Sequence, residues 1–134
     1  MAKWTNDGAM DAALAFITSN ADRLIVCTSQ PLTYADAVTN VGSGGYKLAD
    51  IAVDPSDFVG PVTGTIDGRK VTVQQQTDIP VDATGDCLHV CLVEDTVGNQ
   101  RILHITTCPQ QTLTAGNTVT VPAYEIEFGA PTNP

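Results

Sequence analysis

Apolar positions along the chain recur with two different periods, and the change from one to the other divides it. Met10, Ala13, Leu14 and Ile17 repeat at helical spacing, which gives one face of the segment to a core. Asn6 or Asp7 stands where a side-chain oxygen would accept from the first free backbone N–H groups. The pattern predicts an N-terminal helix of about three turns. The next run, RLIVCTS from Arg23, is compact and apolar and predicts a buried strand carrying Cys27. After Pro31, the order Thr33-Tyr34-Ala35-Asp36 has the form of a capping box and predicts one more helical turn, ended by VGSGG. From Tyr46 onward alternation with period two takes over, and the chain reads as strands.

Two segments predict specific pairings. In PVTGTIDGRKVTVQ, Asp67-Gly68 suits the positive-φ positions of a tight type I′ turn. That turn would set Ile66 against Arg69 and Val62 against Val73, with Val62, Gly64, Ile66, Val71 and Val73 on one face. In TLTAGNTVTVPAYEIEF, Val119 and Val121 have odd parity but Tyr124, Ile126 and Phe128 even. A bulge near Pro122 would reconcile them and leave Glu125 and Glu127 pointing outward, where charge discourages edge pairing.

The stretch CLHVCLVEDTVGNQRILHITTC carries the chemistry. As a string, Cys87, Cys91, His104 and Cys108 follow C-x3-C-x12-H-x3-C, close to zinc-finger spacing. Both halves alternate strictly, however, and a four-residue loop from Thr96 to Asn99 makes them a hairpin. Counting from that loop sets Glu94 opposite Arg101, Cys91 opposite His104, His89 opposite Thr106 and Cys87 opposite Cys108. Leu88, Val90, Leu92, Leu103 and Ile105 then share the core face. On a strand, His104 and Cys108 stand roughly 13 Å apart, so they cannot share a tetrahedral ion with bonds of about 2 Å. Directly opposed Cys87 and Cys108 would suit a disulfide, closed by oxidation after release from the cell. The plainer alternative is that thiols and imidazoles fill the second face beneath a loop, a helix or a neighbouring subunit.

Composition narrows the classes. The chain has 134 residues, enough for one domain that buries about two thirds of its unfolded surface. Fifteen acidic against six basic side chains, net −9, repel nucleic-acid phosphates and anionic membranes, so neither is an expected partner. Charged residues are 16% and aromatics 5%, a profile of short strands and turns. The expected fold is mainly β: an antiparallel sandwich or barrel-like domain over residues 1–134. Residues 1–20 would form an N-terminal helical arm and 129–134 a loose tail. Asp7 and Asp11 interrupt the first apolar run, and no run approaches the roughly 20 apolar residues of a membrane span. Synthesis in a cytoplasm, with the cysteines reduced by default, is the expectation.

Catalytic patterns are sparse. There is no G-x-S-x-G elbow, and GSGGYK lacks the spacing of a phosphate-binding loop. Cys91 with His104 and His89 is the one thiol–imidazole grouping, of a kind that packs more often than it reacts. Asp50, Asp54 and Asp57 would suit a weak calcium site, but DPSD also makes ordinary Asx turns, the reading preferred.

The segments MDAALAFITSNADRLIVCTSQPLTYADA, DGRKVTV and LTAGNTVTVPAYEIEF span most of the chain. In order and texture they resemble small virion structural proteins of tailed bacteriophages and prophages, the kind that decorate or cement the head. The resemblance implies a protein of the virion, made in the host cytoplasm, that binds the major capsid protein lattice and other copies of itself as a homo-oligomer. It implies no enzyme activity, no cofactor and no metal. The acidic balance agrees with a place outside the particle. The helix face with Met10, Leu14 and Ile17, or the tail after Phe128, is the expected docking element, because chain ends are poorly tied to a sheet. The alternative is a tail or baseplate module that recognises a host glycan, which would draw on Trp4, Tyr34, Tyr46 and Tyr124. The four cysteines exceed what either role needs; they would bridge neighbouring copies or serve as core thiols.

Overall fold

The first apolar stripe becomes α1, Asp7–Asn20, in a computed structural model that describes residues 4–129. Asn6 caps it, accepting from the Gly8 N–H at 2.7 Å. Met10, Leu14 and Ile17 are buried while Ala13 is exposed. The helix lies against strands β3 (Phe58–Thr63) and β4 (Arg69–Val73). Asp11 fastens it there, accepting from Arg69 Nε at 2.7 Å and Nη2 at 3.2 Å, a two-pronged geometry that fixes orientation as well as distance.

The apolar run after α1 is β1, Arg23–Cys27. The capping box forms as expected: the Thr33 side chain accepts from Asp36 N, the Asp36 carboxylate from Thr33 N, and α2 runs Tyr34–Val38. The remaining strands are β2 (Lys47–Ala52), β5 (Gln76–Pro80), β6 (Gly85–Glu94), β7 (Arg101–Leu113), β8 (Thr118–Val121) and β9 (Tyr124–Phe128).

The domain is mainly β and sandwich-like, and every pair of its strands is antiparallel. One sheet has the order β2-β1-β6-β7, a second β3-β4-β9, and β5 and β8 make a two-stranded ribbon. The ribbon touches β2 through a bridge between Ala49 and Val81, with Asp82 N donating to Leu48 O at 2.7 Å. The main core lies between the layers: Leu14, Leu24, Val26, Leu48, Val71, Val73, Ile79, Val90, Leu92 and Ile126 are all buried in it. The opposite face of the four-stranded sheet is buried too. There Ile25, Cys27, Cys91 and Val93 meet Ala37 of α2, with Tyr34, Tyr46, Ile102 and Ile105 around them.

Two sequence expectations are corrected. Asp67-Gly68 does not close a two-residue turn: Thr63 pairs with Arg69 and Val62 with Lys70, leaving 64–68 as a wider loop. The side chains of β9 hold it open, Glu127 accepting from Ile66 N at 3.1 Å and Glu125 from the Thr65 hydroxyl at 2.9 Å. Ile66 consequently points to solvent at 88% exposure, and Val62 is half exposed. A second irregularity between Val59 and Val62, at the cis Gly60–Pro61 bond, shifts Phe58 into register with Val73.

The parity change at Pro122 is no bulge within one strand. Val121 ends β8, paired with β5, and Tyr124 begins β9, paired with β4. Proline has no N–H to continue a ladder, and the chain changes sheets there, so Val119, Val121 and Ile126 are all buried. Glu125 does point outward, paired with Lys70 at 2.7 Å. Residues 130–134 of the expected tail lie outside the described residues.

Polar cross-links hold the sheet edges. Asp50 of β2 accepts from Arg23 Nε at 3.0 Å and from Lys47 Nζ at 2.9 Å, and Lys47 also reaches Asp82 at 3.1 Å. Burial of Asp50 opposes its charge, but hydrogen bonds from Arg23 and Lys47 prevail and hold its carboxyl below the ordinary value. Burial likewise opposes the Lys47 charge, and Asp50 and Asp82 outweigh it, raising the ammonium pKa. A depressed carboxylate stabilises the fold above its unfolded pKa and loses that contribution as pH falls through the folded one. Asp50→Asn, leaving two cations facing each other, should lower unfolding free energy by about 2 kcal/mol near neutral pH. In urea titrations this gap from the wild type should close as pH drops below the ordinary carboxylate value of 3.8.

Candidate functional site

Glu94 stands opposite Arg101 at the tip of the β6–β7 hairpin, as counted from the sequence. The pair is 2.8 Å apart with Glu94 buried, and the Arg101 guanidinium lies 4.8 Å from the centre of the Phe16 ring of α1. Below this the register departs from expectation. Leu103 is an unpaired extra residue on β7, so Leu92 meets His104, Cys91 meets Ile105 and Val90 meets Thr106. The expected Cys91–His104 opposition is therefore not formed, and Cys91 faces the α2 side while Leu92 faces the main core. One inserted residue is enough to move every later side chain to the other face.

A second irregularity lies deeper. His89 pairs with Thr107 and Cys87 with Gln111, so Cys108, Pro109 and Gln110 bow out opposite Leu88 alone. Leu88, expected in the core, sits at this bow and is 36% exposed. Cys87 and Cys108 are thus not cross-strand partners. They remain close, since Cys87 Sγ donates to the carbonyl of Pro109, the residue after Cys108, at 3.7 Å. All four cysteines are free thiols. Burial and the nearby Cys87 push the Cys108 thiol up to about 11. Cys27 and Cys91 form a separate pair, fully buried, and the nearby Cys91 together with burial raises the Cys27 pKa.

The bow opens a cleft. It runs between β7 and the β8–Pro122–β9 passage in two adjoining lobes of about 160 and 320 Å³, both lined by Val90, Cys108, Pro109, Val121 and Pro122. Cys87 lines the smaller lobe and Tyr124 the larger. The Tyr124 hydroxyl is buried with no hydrogen-bond partner, and burial raises its pKa. The slot is apolar with one phenol and two thiols, the lower end of the size range of small-molecule pockets. Sequence reasoning did not anticipate it; Pro109 and Pro122 inside strand-like patterns were the available signal.

Other predicted positions separate. Asp50 is taken up by Arg23 and Lys47, while Asp54 and Asp57 build the turn read from DPSD: Asp54 accepts from Ser56 N at 2.8 Å and Asp57 from Asp54 N at 2.9 Å. Among the described residues no three metal-ligating side chains converge. Met10, Leu14 and Ile17 are committed to the protein's own interior, which corrects their assignment as a docking face. Of the four candidate aromatics, Tyr34 and Tyr46 pack on the α2 side, Tyr124 on the main core, and Trp4 is 78% exposed.

Comparison with known protein families, curated proteins and solved structures finds no match.

Two outcomes follow from the hairpin. Equilibrium dialysis against zinc should leave less than one equivalent bound, with the urea midpoint unchanged by a chelator; stoichiometric binding would restore the metal reading. His104 is half buried, its Nδ1 lacks a partner, and burial lowers its pKa. Such a group stabilises the fold above the unfolded histidine pKa and loses that contribution as pH falls through the folded one. Wild-type stability should decline across this acid range, and His104→Gln should flatten that part of the profile.

Proposed function

We propose that the chain is a structural protein of a tailed-phage virion, a decoration or cement protein on the outer head surface that binds the major capsid lattice and other copies of itself. It works by contact rather than by catalysis. The observation that carries this reading is a pair of exposed apolar side chains on loops that are held in place. Leu32, 79% exposed, and Val97, 91% exposed, stand on two different loops. Tyr34 donates to the Asp95 carboxylate and Gln100 Nε2 donates to the Tyr34 hydroxyl at 3.4 Å, tying the start of α2 to the base of the β6–β7 loop. Asp22 reinforces that loop, accepting from Asp95 N at 3.0 Å and from the Thr96 hydroxyl at 3.1 Å.

Two large apolar side chains on fixed loops lose little conformational freedom on docking, and a repeated surface multiplies many weak contacts into high avidity. The resemblance of the three sequence segments to head-decorating proteins supports the same role, as does a charge of −9. The glycan-binding alternative loses support because three of the four aromatics are partly buried against the two cores.

Electron microscopy of particles with and without the protein tests the placement, with added density on heads as the expected result. Density on tails would favour the tail reading, and none on either would remove both. In co-sedimentation with shells, Leu32→Asp combined with Val97→Asp should cut occupancy at least about tenfold. The thermal midpoint should stay close to wild type, since neither side chain is in the core.

A further inference from the structure

We propose that Cys108 and Cys87 form a thiol–disulfide exchange site opening into the cleft, which takes low-molecular-weight disulfides of the glutathione class and ends as an internal Cys87–Cys108 bridge. The inference concerns the chain itself and stands whether or not it binds a shell.

Accessibility singles out one thiol. Cys27, Cys87 and Cys91 are buried, whereas Cys108 is partly exposed and lines both lobes of the cleft. Cys87 lies behind it in the smaller lobe, its sulfur 3.7 Å from the carbonyl of the residue next to Cys108. A bridge needs its sulfurs about 2 Å apart at a set torsion, and β7 can supply that adjustment here. Residues 108–110 bow out of the ladder, so they can shift without breaking a paired register. Cys27 and Cys91 have no such freedom. They sit fully buried on ladder-paired strands, with Ile25 opposite Cys91 and His89 opposite Cys27.

The chemistry runs in two balanced steps. The Cys108 thiolate attacks one sulfur of the incoming disulfide, forming a mixed disulfide and releasing one thiolate. Cys87, losing its proton to solvent, then attacks the Cys108 sulfur, forming the internal bond and expelling the second thiolate. The protein dithiol is oxidised by two electrons and the small disulfide reduced to two thiols. Because the Cys108 thiol is pushed up to about 11, exchange is slow at neutral pH and accelerates about tenfold per pH unit below that value. A reducing cytoplasm therefore leaves the dithiol open, and an oxidising exterior closes it.

The full chain, folded, is treated with oxidised glutathione at about pH 8.5, where the thiolate fraction is about thirty times that at pH 7. It is then quenched with acid, alkylated under denaturing conditions and mapped by peptide mass. The expected product links the peptides of Cys87 and Cys108 and leaves Cys27 and Cys91 alkylated; its rate rises about tenfold from pH 8 to pH 9. Cys87→Ser should accumulate one glutathione on Cys108, and Cys108→Ser should take none while folded. A glutathione that stays on Cys108 in the wild type, a bridge between any other pair, or unmodified thiols in folded protein would each overturn the proposal. The wild-type map decides the matter even if a variant fails to fold.

Discussion

The later half of strand β6, from Val90 on, is buried on both faces, and much of the structure answers to that constraint. Val90 and Leu92 supply the main core, while Cys91 and Val93 supply the second cluster beneath α2. A strand covered on one side can alternate apolar with polar, but one covered on both reads as a near-continuous apolar run, here Val90 to Val93 before the paired Glu94. The second side also has to be thin, because the helix that covers it has five residues. Cys27, Ala37 and Cys91 are all small, which lets α2 approach the sheet closely, and a free thiol serves there as a small hydrophobe. The capping box of α2 then matters out of proportion to its length, since it fixes the lid over those side chains.

What could be read from the sequence was whatever local chemistry decides. Helix α1, its Asn6 cap, the Thr33–Asp36 box, the DPSD turn and the Glu94–Arg101 end of the long hairpin each depend on residues close together in the chain, and each forms as expected. Registers deeper in the sheets do not have that property. The extra residue at Leu103 and the bow at 108–110 arise because β7 must satisfy β6 on two differently shaped faces, and alternation alone cannot reveal which residue will be skipped. Asp67-Gly68 misled for a similar reason: the loop it belongs to is shaped by Glu125 and Glu127, nearly sixty residues away.

The candidate site shows the same division. The apposition of Cys87 with Cys108 does not come from a straight ladder; the bow at 108–110 sets both along one cleft instead. The cleft required knowing that Pro122 carries the chain from one sheet to another, a tertiary fact. The helix face with Met10, Leu14 and Ile17 was legible as apolar, but periodicity does not say whether such a stripe faces inward or outward to a partner. The exposure of Leu32 and Val97 is not legible in sequence, because each is an isolated apolar residue whose loop is held by tertiary contacts such as that of Tyr34 with Asp95.

The pairing of β1 with β6 also has a consequence for the order in which the molecule can come into being. Arg23 is matched with Val93, so a growing chain completes its first strand long before that strand's inner neighbour has left the ribosome. The β6–β7 hairpin needs only local closure, whereas β1 must wait across a long intervening loop. Until then β1 has β2 alone beside it and a bare edge on the other side. A nascent fragment ending before Gly85 is therefore an unfinished sheet rather than a smaller domain, and its safety during translation rests on how quickly the later half arrives.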